Sequence, residues 1–213
     1  MEKFKRYILP AMIVVISFIL AIVVFPKLPV QVPAHWNYRG EVDGYMGRFW
    51  GAFMLPVVTL AMYLLFLIIP GIDPKKRNIA KFRGYFDNFI ILIMLFMMTM
   101  FVYTLLWTFG HQISITYFMT VAFAILFYYV GVLIGNAQQN WFIGIRTPWT
   151  LDNVEVWDKT HQLGGKLYQW VAGLSLLGLF FADQAIIITL VLISGVSVFL
   201  VVYSYVLHRQ LVK

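Results

Sequence analysis

The stretch Tyr7-Ile-Leu-Pro-Ala-Met-Ile-Val-Val-Ile-Ser-Phe-Ile-Leu-Ala-Ile-Val-Val-Phe25 holds no charged residue and, past Tyr7, a single hydroxyl at Ser17. A helix needs about 20 mainly apolar residues to cross roughly 30 Å of hydrocarbon, and this stretch has that length and composition. Working outward from it, five more stretches qualify, at about 49–69, 86–109, 115–135, 163–181 and 185–207. The fifth is the shortest, its fully apolar part being 167–181, with Lys166 placed to snorkel toward an interface. Only Ala182-Asp183-Gln184 separates it from the sixth, which predicts a tight helical hairpin. The expected fold class is all-α: one polytopic integral membrane domain over residues 1–213, with six transmembrane helices.

Composition points the same way. Of 213 residues, 62% are hydrophobic and 12% charged, with no cysteine. A soluble domain averages about 45–50% apolar and about 25% charged, and one of this size buries only about 70% of its unfolded surface. The surplus apolar surface must face lipid. This excludes a soluble enzyme, a disordered chain, a disulfide-stapled module and a cysteine-based zinc domain. The formal charge of +7 is divided among loops, so no direct nucleic-acid partner is expected.

Lysine and arginine in the loops set the orientation. With the N-terminus inside, the cytoplasmic side receives Lys3, Lys5, Arg6, Lys75, Lys76, Arg77, Lys81, Arg83, Arg146, Lys159, Lys166, Arg209 and Lys213. The outside receives only Lys27, Arg39 and Arg48. Both termini are therefore expected in the cytoplasm of a multi-pass protein of the cell membrane. The first span is read as a retained anchor: its core exceeds the 7–15 residues of a signal peptide, and no small-x-small cleavage site follows.

The interiors of the six runs carry no Asp, Glu, Lys, Arg or His, which argues against an ion-coupled transporter and against a paired-aspartate protease. Asp87 is expected near the cytoplasmic interface. Gly131 and Gly135 form a GxxxG pair, read as close packing inside the bundle. Pro10 and Pro56 are expected in the first turns of their helices. No nucleotide, heme or zinc-protease motif is present, so neither a catalytic residue nor a cofactor is assigned.

Specific polar residues gather in two loops. The outer loop, 26–48, begins with Pro26, Pro29 and Pro33, which stiffen an extended segment. It continues through His35, Trp36, Asn37, Gly40, Glu41, Asp43 and Gly44, with the glycines expected at turns. Those side chains suit a protein or peptide contact; a metal held by His35, Glu41 and Asp43 is the sharper reading, and an interface-packed turn the plainer one. The cytoplasmic loop, 136–162, carries Asn136, Asn140, Arg146, Trp149 and His161 as a candidate folded polar site. The competing reading is an amphipathic belt of Trp141, Trp149 and Trp157, with Arg146 on a lipid phosphate. Asp152 or Asn153 is expected to cap a short helix, which Gly164 and Gly165 end or convert into the next span. An Asp158–His161 contact is expected to raise the basicity of the histidine. The loop from Pro70 to Tyr85, with five basic residues, reads as the positive-inside signal with attraction to anionic lipid.

One set of strings is Leu28-Pro29, Val32-Pro33, His35-Trp36-Asn37, Gly40 and Asp43-Gly44-Tyr45, leading into a span with Pro56. The other runs Gly135-Asn136, then Asn140-Trp141-Phe142-Ile143-Gly144-Ile145-Arg146-Thr147-Pro148-Trp149-Thr150-Leu151, then Val156-Trp157, Thr160-His161 and Gly164-Gly165. Together they cover about a third of the chain and resemble the SdpI-type bacterial membrane proteins. That resemblance implies a prokaryotic immunity protein against a secreted, membrane-active peptide toxin. It further implies a signalling role in which the toxin-engaged protein sequesters a transcriptional repressor at the membrane. It supplies no catalytic residues. The expected partners are thus a peptide toxin at His35, Trp36, Asn37 and Asp43, a cytoplasmic repressor, and the lipid bilayer. A metal-dependent membrane enzyme using His35, Glu41 and Asp43, a small transporter and a lipid-binding subunit are the alternatives.

Overall fold

Apolar runs of this length become helices because hydrocarbon offers backbone amides no partner but each other. The computed structural model describes residues 4–212, without the side chains of Lys5, Ala182 and Asp183. Lys3 and Lys213, both counted above as cytoplasmic, lie outside the described residues.

A π-helical turn, Phe4–Ile8, runs into α1 (Leu9–Val24), with Pro10 at its first turn and a 3-10 turn, Phe25–Lys27, at its end. Two strands follow, β1 (Gln31–Trp36) and β2 (Val42–Gly47), then α2 (Arg48–Ile72), the short α3 (Lys76–Lys81) and α4 (Arg83–Thr108). The second half holds α5 (Ile115–Asn136), the five-residue α6 (Pro148–Asp152), α7 (Val154–Ser175) and, after a 3-10 run at Leu176–Gln184, α8 (Ala185–Leu211).

The protein is mostly helical, but the all-α expectation needs a correction. The outer loop forms an antiparallel hairpin with Gln31 opposite Gly47, Pro33 opposite Tyr45 and Trp36 opposite Val42, and with irregular pairing around His35. The prolines fix extended backbone, as expected, and Gly40 makes the turn at φ +80°. Gly44, expected at a turn, lies inside β2 opposite His35, where a Cβ would sit 3.0 Å from the His35 Cβ. Pro56 is not in a first turn either: α2 begins at Arg48, which puts that proline in the helix interior.

Five helices are long and apolar enough to cross a membrane: Arg6–Lys27, Arg48–Ile72, Arg83–Thr108, Ile115–Asn136 and Ala185–Leu211. The remaining expected span, 163–181, falls on the second half of α7 and the 3-10 run after it. Gly164 and Gly165 neither end a helix nor begin one; α7 passes through them without a break.

The helices pack as two groups, α1 with α2 and α4, and α5 with α7 and α8, joined through α4 and α5. In the first group, Ile13, Ile69, Phe86 and Met94 share a core that also reaches Leu133, Ile143 and Trp157 of the second half. In the second group, backbone meets backbone. A Cβ on Gly131 would lie 2.6 Å from the Gly165 carbonyl oxygen, and one on Gly165 would lie 2.8 Å from the Gly135 Cα. Small residues permit this approach, and the GxxxG pair packs inside the bundle, as its spacing predicts.

Gly165→Ala is therefore expected to cost about 1–3 kcal/mol by overpacking, whereas Gly195→Ala, where a Cβ would meet nothing within 4 Å, is expected to be neutral or slightly stabilising. Thermal unfolding of the two variants in detergent measures this; equal effects would contradict the glycine contact.

Candidate functional site

Each end of the bundle carries a polar structure. At one end the hairpin is pinned by its apolar side: Leu28 and Val32 are buried with Ala21, Ala52, Phe101 and Leu105. Trp36 packs edge-on against Tyr103 and Trp107, with ring centroids 5.5 and 6.0 Å apart. Its indole Nε1 is buried with no hydrogen-bond partner. The other face of the hairpin is open. There, His35 Nδ1 donates to Asp43 Oδ1 at 2.5 Å, both side chains exposed.

Asn37 builds the turn. Its Oδ1 accepts from the backbone N–H of Arg39 (2.9 Å) and of Glu41 (3.1 Å), while its Nδ2 donates to the Glu41 carboxylate, the local bonding that suits asparagine to turns. The structure thus brings His35 together with Asp43 and Asn37 together with Glu41. Among the described residues, no three His, Cys, Asp or Glu side chains stand together as metal ligands.

At the other end, the segment 137–153 crosses beneath the bundle with few regular hydrogen bonds of its own. Buried side chains satisfy its backbone, as a nonpolar setting demands. Asn140, fully buried, accepts at Oδ1 from the N–H of Phe142 and Ile143, and donates through Nδ2 to the carbonyls of Gln138 and Ile143. Gln139 Nε2 donates to the carbonyls of Thr150 and Leu151. Thr147 and Thr150 form a reciprocal cap at the start of α6, with Pro148 at its first position. Asn153 caps α7 through the N–H groups of Glu155 and Val156, as expected.

The cap is bolted to the rest of the chain. Asp73, buried, accepts from the N–H of Lys75 and of Trp141, across 68 residues of sequence. Lys75 Nζ donates to Gln139 Oε1, and Asn78 Nδ2 to the Gln139 carbonyl. Thr147 and Ser204 of α8 share a hydroxyl contact at 3.0 Å, and His208 meets Asp152 at 2.8 Å. Arg6 and Arg83 both bond Asp87, at 2.9 and 2.6 Å. Asp87 is the fifth residue of α4, one turn in from the start of that helix.

His161 corrects the expected Asp158 partnership. Its Nδ1 lies 2.8 Å from the Trp157 carbonyl, and its Nε2 accepts from the Ile145 N–H at 2.9 Å. A carbonyl only accepts and an N–H only donates, so the ring is the neutral Nδ1–H tautomer. Its face stacks on Trp157 at 3.8 Å. Burial pulls its pKa down to about 4, against a smaller upward pull from the Trp157 carbonyl. Gly144, at φ +121°, passes so close that a side chain there would collide with Nε2. Trp157 is likewise no belt residue: it is fully buried, with Nε1 donating to the Ala137 carbonyl.

Of the expected cytoplasmic residues, then, Asn140 and His161 brace the backbone. Arg146 is exposed, donating to the Trp141 carbonyl, and Asn136 is exposed, donating to Val132 within α5. Trp149 packs on Tyr205 of α8, with centroids 5.0 Å apart. Asp73, Gln139, Thr147 and Trp157 were not singled out for these roles. Only Thr147-Pro148 carried a local signal, a cap residue before a first-turn proline.

The histidine makes a pH prediction. Unfolded, it binds protons below about 6.5; folded, it resists them down to about 4, so its contribution to stability is full above about 6.5 and falls as pH drops toward 4. The stability gap between the wild type and His161→Gln, measured by melting in detergent, is expected to shrink by on the order of 3 kcal/mol across that window. A gap independent of pH would contradict the buried neutral ring.

Residues 12–60 match a family described as a domain of unknown function (DUF1648), and residues 136–204 match the SdpI/YfhL protein family. The chain is 28% identical over 209 residues to the immunity protein SdpI of Bacillus subtilis (strain 168), covering 97% of this chain and 98% of that one. No solved structure matches. The second matched region holds the whole cap from Asn136 onward, α7 and most of α8, and over it the chain is similar to the SdpI/YfhL family.

Proposed function

We propose that this chain is an immunity protein of the cell membrane that engages a secreted, membrane-active peptide at the hairpin. The observation that carries the reading is the near full-length likeness to the immunity protein SdpI. The hairpin supports it from the physical side: one face is anchored through Val32 and Trp36, and the other presents His35, Asp43 and Asn37 to solvent.

The membrane arrangement proposed is a single domain of six spans with both termini inside. Two observations favour it. Arg6, in the turn before α1, shares a groove with Lys76, next to the Lys75 that bonds Gln139 of the cap, and the end of α8 meets the cap through His208, an arrangement that supports an even number of crossings. The stretch 163–181 supplies the crossing beyond the five apolar helices. The core that runs from Ile13 to Trp157 favours one domain rather than two.

The signalling half of the reading places a cytoplasmic repressor on the exposed side of the cap, where Trp141, Phe142 and Arg146 face outward. The rings of Trp141 and Phe142 take no part in bracing the segment, unlike Asn140 and His161, and Arg146 holds only the Trp141 carbonyl.

Purified protein is expected to bind the killing peptide against which SdpI-type proteins protect. His35→Ala with Asp43→Ala is expected to weaken that binding by about tenfold, the loss of one charge-assisted hydrogen bond; unchanged affinity would remove the hairpin from the contact. A reporter fused after Lys213 should be cytoplasmic, and an extracytoplasmic signal would overturn the arrangement of sides.

A further inference from the structure

The loop that bolts the cap to the first helix group also carries charge that the cap does not use. A groove of about 440 Å³ lies between α3, the turn that leads into α1, the end of α2 and the start of α4, lined by Arg6, Lys76, Arg77 and Arg83 over a floor that includes Pro70 and Ile79. Asp87 gives the groove its form. Each of its two carboxylate oxygens takes the Nε–H of one arginine, Arg6 at 2.9 Å and Arg83 at 2.6 Å. That arrangement draws two guanidinium groups to one point and leaves the Nη groups of both free of Asp87. Arg83 is further steadied over the Phe86 ring at 5.5 Å. One carboxylate against four cations leaves an excess of three positive charges.

We propose that this groove is a binding site for the phosphate of an anionic glycerophospholipid. Guanidinium forks match phosphate oxygens in geometry as well as charge, and basic pockets between membrane helices suit such headgroups. Its height in the molecule selects a lipid over a soluble acidic partner. Arg6 and Arg83 are the first residues of two candidate spans, and Pro70 lies in the last turn of a third, so the groove opens at the level of the headgroups. One residue on from Arg6, an apolar groove runs along the first helix past Tyr7, Ile8, Met12 and Ile16, giving an acyl chain a track beside the phosphate. The site thereby ties α1, α2 and α4 to the membrane surface, independently of any peptide bound at the hairpin.

The test is native mass spectrometry of the full-length protein in mixed micelles of phosphatidylcholine and phosphatidylglycerol in equal parts. Phosphatidylglycerol is expected to be retained in preference to phosphatidylcholine. Lys76→Gln with Arg77→Gln is expected to reduce that retention about tenfold, while Lys27→Gln with Arg39→Gln, at the hairpin end, leaves it unchanged. Both Lys76 and Arg77 are exposed, so the fold is expected to tolerate their loss. Arg83→Lys, which keeps the charge and loses the fork, is expected to fall between the wild type and the double variant. Equal retention of the two lipids, retention unaffected by the double variant, or displacement of phosphatidylglycerol by an equal concentration of inorganic phosphate would each overturn the proposal.

Discussion

The contact of α5 with α7, where Gly131 and Gly135 lie against Gly165 without side chains between them, is the constraint on which the rest of the molecule depends. Two helices this close leave the chain joining them little room. Residues 137–153 must double back directly beneath the pair, in a segment whose regular structure is confined to the five residues of α6. Every buried peptide group there then needs a partner. Asn140, Gln139, His161, Trp157 and Thr150 are those partners, and the buried Asp73 adds one from the first half of the chain.

This explains why a buried histidine and a buried asparagine in a membrane protein need not be catalytic. A group that both accepts from Ile145 and contacts the Trp157 carbonyl has no lone pair left for a substrate. The polar residues with free chemistry lie elsewhere: on the open face of the hairpin and on the outer surface of the cap.

How much of this was legible in the sequence follows from the range of each interaction. Hydropathy is local, and it located five membrane-capable helices directly; it read less well for 163–181, where apolar residues are mixed with Lys166, Gln169 and the glycines. The Asn153 cap and the packing role of Gly131 were legible because cap and GxxxG signals lie within a few residues. The hairpin was not, since Pro33 in β1 and the two glycines of β2 break the alternation that marks a strand. The belt reading of Trp157, one of two that the loop allows, follows from tryptophan's usual place in the headgroup region, and nothing nearby in sequence shows that Ala137 offers its carbonyl from 20 residues away. The partnerships of Asp73 with Trp141 and of Arg6 with Asp87 span 68 and 81 residues, so no spacing rule reaches them.

The central claim is that this arrangement protects a cell against a membrane-active peptide. Its most direct test is the survival of toxin-sensitive bacteria expressing the unaltered chain and challenged with the killing peptide of the SdpI system, beside cells carrying an empty vector. Survival well above the empty-vector cells, at confirmed membrane insertion, is the result expected. Equal killing of both, with the protein correctly inserted, would contradict it.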